Sequence, residues 1–140
     1  MGSLQFKTFT TKLDKYLYVV SLDCHDPLGM ENGAISDKQI IASSEWNEKH
    51  SANMGRLHFN GGALGKASAW ISLTKDADQW LQIDLFSLGN KYTRITCVAT
   101  QGRRNEKHQQ WVSKYKLQYS SDGVNFRYYK EQGQTADKVL

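Results

Sequence analysis

The chain has 140 residues, 39% of them hydrophobic and 23% charged with a single proline, a composition that excludes a disordered segment and suits one domain. Its formal net charge of +4 permits an acidic partner. Its basic residues are spread along the chain, not massed in a stripe among aromatic platforms, which argues against nucleic acid.

In chain order, residues 1–22 read as a leader standing apart from the domain. Thr8, Thr10 and Thr11, then Tyr16, Tyr18, Val19 and Val20, favour extended backbone over helix. The longest apolar run there, residues 16–20, is shorter than the ~7–15 residues of a signal-peptide core, and no run in the chain reaches the ~18 of a membrane-spanning helix. Residues 24–33, CHDPLGMENG, carry the proline and two glycines and enter the domain as a loop. Gln39 to Ala42 form a short, mostly apolar segment. Residues 45–53, EWNEKHSAN, have neither a helical nor a strand period and read as a flexible surface loop.

Leu57 and Phe59 straddle His58 as in a short strand. The clearest strand is residues 80–85, WLQIDL, with Leu81, Ile83 and Leu85 on one face. Residues 93–100 place Ile95, Cys97 and Ala99 on one side. Residues 112–120 place Tyr115, Leu117 and Tyr119 on one face and Lys114, Lys116 and Gln118 on the other. Ser120-Ser121-Asp122-Gly123 marks a hairpin turn, since glycine accepts positive φ and Asp bonds its own backbone. Phe126 and Tyr128 lie on the return strand, residues 132–137 form a polar loop, and residues 138–140 begin another strand. Short strands punctuated by Gly and Asp turns predict an all-β sandwich.

No catalytic constellation emerges, and the chain reads as a non-enzyme. Glu45, Glu48 and His50 lie close in sequence, but no nucleophile motif accompanies them and they read as solvated surface. The four histidines are scattered without metal-ligand spacing, so neither a metal site nor a cofactor is expected. Calcium held by oxygens of Asp23, Asp26 or Glu31 stays open. The two cysteines, Cys24 and Cys97, allow one disulfide or none.

Two features point to binding. Trp46 sits amid EWNEKH with no apolar neighbour in sequence, so it either folds back onto the sandwich or projects as a contact residue worth ~150–250 Å² of burial. Residues 103–108, RRNEKH, are either a solvated charge run or an Arg pair presented to carboxylate, sulfate or sugar hydroxyls.

In this order, PLGMENGAISDKQIIASSEW, GRLHF, AW, QWLQIDL, TQGR and WVSKYKLQYSSDG resemble the discoidin domain, also called the F5/8 type C domain. The resemblance covers residues 24–140, so the domain is expected over residues 23–140. It implies a jelly-roll β-sandwich of the discoidin-like, galactose-binding-domain-like class, placed outside the cell or at its surface, that binds and does not catalyse. In that family, loops at one end of the sandwich form the binding surface. By position these are residues 43–53 and 103–110, which makes Trp46, Asn47, Glu48, Lys49 and His50, with Arg103, Arg104, Asn105, Lys107 and His108, the candidate contacts.

The resemblance also carries departures. Family domains end in a Cys that pairs with the first, after further strands; here the chain stops at KVL. Cys24 is therefore expected to lack its partner, Cys97 to be a buried free thiol, and the closing strands to be missing. The resemblance leaves a choice of partner. Membrane-binding members insert apolar loop residues, and the second loop here has none. Its basic residues supply only ~2–3 kcal/mol near an anionic surface before Glu106 is subtracted, with Trp46 and Met54 as the only apolar anchors. A cell-surface or matrix glycan or glycoprotein fits the polar loops better, with anionic phospholipid as the second reading and no nucleic acid.

Overall fold

The structure is a computed structural model that describes residues 3–8, 27–61, 65, 67–85, 95–103 and 110–140. Its described strands are β1 (Ser3–Thr8), β2 (Ile40–Ala42), β3 (Trp80–Asp84), β4 (Tyr115–Ser120) and β5 (Arg127–Tyr128). They form one antiparallel sheet in the order β2-β3-β1-β4-β5. Among the described residues the only helical elements are three short 3₁₀ turns, at Asp37–Gln39, Glu48–His50 and Ala52–Gly55.

The alternating runs become strands for the expected reason. Ile83 of β3 lies opposite Ile40 of β2, and both are buried, so a cross-strand pair seals one side of the core. Ile35, Ala52 and Leu85 complete that cluster, with Met30, Ala42, Leu81 and Ile95 packed against it. In β4, Tyr115 and Leu117 are buried, while Tyr119 on the same face emerges into solvent at the strand's end. The hairpin after β4 forms as read. The Asp122 carboxylate accepts the backbone N–H groups of Val124 and Asn125 and the Ser120 hydroxyl, and Gly123 takes φ 76°.

Ser3–Thr8, inside the segment expected to stand apart, is the middle strand. It pairs with β3 from Ser3 opposite Asp84 to Lys7 opposite Trp80, and with β4 from Ser3 opposite Ser120 to Thr8 opposite Tyr115. Alternation shows which faces a strand has but not its neighbours, so this partnership was beyond the reach of the pattern.

Other expectations are corrected. Leu57 and Phe59 lie in no strand: His58 has φ 52° and Phe59 N–H donates to Arg56 C=O, which folds the run into a turn. Residues 95–100 carry no strand either, although Ile95 reaches the core as its spacing implied. Residues 93 and 94 lie outside the described residues. Val139 makes a single bridge to Lys116 and no longer strand. Cys97 is half-buried and disulfide-bonded, not a free thiol, and the sequence contains only one other cysteine, Cys24. A disulfide in a domain of this size contributes about 2–4 kcal/mol.

Candidate functional site

The segment read as a flexible loop is instead held closely at almost every residue. The Asn47 side chain accepts the Lys49 backbone N–H at 3.0 Å, starting a 3₁₀ turn as an N-cap does. It also bonds His50 Nδ1 at 2.8 Å. Glu45 Oε1 accepts the Ala52 N–H at 2.6 Å, and the second turn buries Ala52 and Met54. Residues 67–71 run alongside: Trp46 N–H donates to Ile71 C=O, Ile71 N–H to His50 C=O, and Ala67 N–H to Lys49 C=O.

Gln79, which residue pattern alone had not singled out, anchors this arrangement. It is buried, and its Oε1 accepts the hydroxyls of both Ser43 and Ser44. Its Nε2 donates to Thr74 Oγ1 and Asp76 Oδ1, each at 2.8 Å. Every bonding position of the amide is used, so one side chain joins β3 to two loops. The available signal was a polar residue immediately before the best strand, which has to find partners if buried. Trp70 adds a second tie, its Nε1–H donating to Ser44 C=O at 3.0 Å.

On this platform Trp46 is 54% exposed. It does not fold back into the core. Its ring lies 4.8 Å from that of His50 at a tilt of 46°. His50 itself is 7% exposed, so it supports the indole from beneath. Burial holds the His50 imidazole below its ordinary pKa, and the positive charges of Arg103 and then Lys49 lower it further. Its Nε2 is buried and has no hydrogen-bond partner among the described residues.

The Arg103 charge acts on His50, which brings Arg103 near the Trp46 turn. Arg103 N–H donates to Gln110 C=O at 2.8 Å, closing the base of that loop, and Arg103 Nη1 donates to Gln110 Oε1 at 2.9 Å. Its Nε is buried without a partner among the described residues, so the half-buried guanidinium is partly committed to Gln110. Gly102 packs closely beside it: a Cβ there would lie 3.0 Å from Trp111 Cβ and 3.3 Å from Gln110 O, a tight fit.

Of the sequence-derived candidates, Trp46, Asn47, Glu48 and Lys49 are exposed on one turn. His50 is buried beneath them, which removes it as a direct contact. Arg103 adjoins them electrostatically. Arg104, Asn105, Lys107 and His108 lie outside the described residues. Glu31, weighed for calcium, bonds His58 Nδ1 at 2.9 Å, and Asp23 and Asp26 lie outside the described residues. Met54, weighed as an apolar anchor, is 1% exposed and unavailable.

The F5/8 type C domain profile matches residues 39–139. The chain is 35% identical over 121 residues to mouse coagulation factor V, covering 84% of this chain and 5% of that protein. Rat lactadherin is 39% identical over 116 residues, covering 79% of this chain and 25% of the relative. Human EGF-like repeat and discoidin I-like domain-containing protein 3 is 39% identical over 122 residues, covering 84% and 24%. The chain thus spans a quarter or less of these relatives. No solved structure matches it at a significant level. On this match the chain belongs to the F5/8 type C, or discoidin, domain family.

Proposed function

We propose that the chain is a non-enzymatic recognition module of the extracellular surface, a jelly-roll β-sandwich that binds a glycan or a matrix protein through the loops at residues 43–53 and 103–110. The observation that carries this reading is Trp46: an indole 54% exposed on a turn hydrogen-bonded to Ala67 and Ile71 and capped by Asn47. A large aromatic on a rigid turn loses little entropy on binding, which suits a contact residue. Asn47, Glu48 and Lys49 beside it supply donors and acceptors of both charges, as a polar ligand requires. With Met54 buried, Trp46 is the one large apolar side chain that residues 43–53 expose, which favours a polar ligand over lipid insertion.

The test is a glycan and matrix-protein array probed with the wild-type chain and with Trp46→Ala. The wild type should bind at least one class, and the variant should lose about tenfold or more while keeping its melting temperature, since the indole is not in the core. Binding unchanged by the substitution, or retention only on vesicles of anionic phospholipid, would contradict the proposal.

A further inference from the structure

At the outer margin of the sheet lies a cleft of about 680 Å³, lined by Tyr119, Arg127, Tyr128, Tyr129, Lys130 and Asp137. That volume falls in the ~300–1,000 Å³ range of small-molecule sites. Its chemistry is mixed: three phenol rings, two cations and one carboxylate.

The lining is ordered by the sheet. Tyr119 and Arg127 are register partners across β4 and β5, so their side chains share a face. Tyr129 N–H donates to Leu117 C=O at 2.8 Å, and Tyr129 C=O accepts from Lys138 N–H at 3.0 Å, which fixes the backbone behind its ring. Lys116 braces the remaining side, with its ammonium 5.0 Å from the Tyr128 ring centroid and 3.0 Å from Asp137 Oδ2.

Two features of this cleft are unspent. Tyr119 is 51% and Tyr129 43% exposed, large rings left to water although Tyr115 and Leu117 on the same strand are buried. Arg127 and Lys130 are exposed, and neither forms an ion pair with a described residue.

We propose that this cleft is a second binding site, separate from the rim and independent of the rim's role, and that its ligand is a sulfated saccharide. Sulfate groups accept charge-assisted hydrogen bonds from the Arg127 guanidinium and the Lys130 ammonium. The apolar faces of the sugar rings stack on Tyr119 and Tyr129, whose rings offer apolar area at little entropic cost. The Asp137 carboxylate accepts from sugar hydroxyls. That carboxylate disfavours a nucleic-acid strand, whose phosphates are evenly spaced and present no donor, and an acidic peptide lacks the ring faces that two exposed tyrosines would cover.

The experiment titrates the isotope-labelled full chain with three probes: a sulfated tetrasaccharide of alternating uronic acid and hexosamine, the same tetrasaccharide without sulfate, and a twelve-nucleotide oligothymidylate. The sulfated sugar should bind and move the resonances of Tyr119, Arg127, Tyr129 and Lys130, with weaker binding as salt rises. Arg127→Gln with Lys130→Gln should weaken it about tenfold or more. Arg127→Lys with Lys130→Arg, which keeps both charges, should restore most of the affinity. Both cations are exposed, so a wild-type melting temperature is expected for each pair of substitutions. Equal binding of the unsulfated sugar, shifts confined to residues 46–49, no change in the Gln variants, or oligothymidylate binding at the cleft as tightly as the sulfated sugar would each overturn the proposal.

Discussion

His50 lies beneath the Trp46 turn within the field of Arg103, and its protonation state follows from its surroundings. With Nδ1 bonded to the Asn47 carbonyl oxygen, that nitrogen carries the proton in the neutral ring, leaving the lone pair on buried Nε2. Burial and then the charge of Arg103 push its pKa below the ordinary 6.5. Because the folded value lies below the unfolded one, the unfolded chain binds more protons in the window beneath pH 6.5. The associated stability is whole above pH 6.5 and is lost as pH falls from there through the folded pKa. An NMR titration should therefore place the His50 midpoint below 6.5; a midpoint at or above that value would contradict the burial described. Gln79 is the other decisive residue. Replacing it with Ala leaves the hydroxyls of Ser43 and Ser44 and the Asp76 carboxylate to find other partners, at a cost of about 1–3 kcal/mol. Chemical denaturation measures this, and a loss under half a kilocalorie (~0.5 kcal/mol) would show that water replaces the amide freely.

Among the elements, β3 and β4 were legible because each alternates over five or more residues and buries one face. The same rule misled at Leu57 and Phe59, where a left-handed His58 turns the chain and alternation has no ladder to serve. It was silent on order: nothing in the spacing of residues 1–22 places Ser3–Thr8 between two strands more than 70 positions away. Since β3 and β4 are each bonded to β1 and not to one another, β1 joins two halves of the sheet. Deleting residues 1–8 should cost several kcal/mol against a typical domain stability of ~5–15 kcal/mol, and abolish or sharply lower the cooperative melt. An unchanged Tm would show that the two halves close without it. The turn after β4 behaves differently. Its hydrogen bonds, first those from Asn125, hold the Asp122 carboxylate well below its ordinary pKa, so their contribution persists above about pH 4 and fades as pH falls further.

At the scale of the molecule, the sequence carried the family and the exposure of Trp46 but not the construction of its turn. Trp46 was conspicuous because a lone indole among polar residues requires an explanation. That its turn is so closely held was hidden, since the bonds of Gln79 to Ser43 and Ser44 and of Trp70 to Ser44 connect residues that no local pattern relates. The pairing state of Cys97 was misread from the resemblance, whereas the two cysteines by themselves allow one disulfide or none. Arg103 was picked for its charge, yet one guanidinium nitrogen is bonded to Gln110. Arg103 lies close enough to the Trp46 turn for its charge to reach His50. The most direct measurement is the His50 NMR titration repeated in Arg103→Gln, a change that keeps a side-chain amide beside Gln110 but removes the cation. If the loops adjoin, the His50 pKa rises toward 6.5 relative to the wild-type chain; a pKa that does not move would mean that the two loops do not share a face.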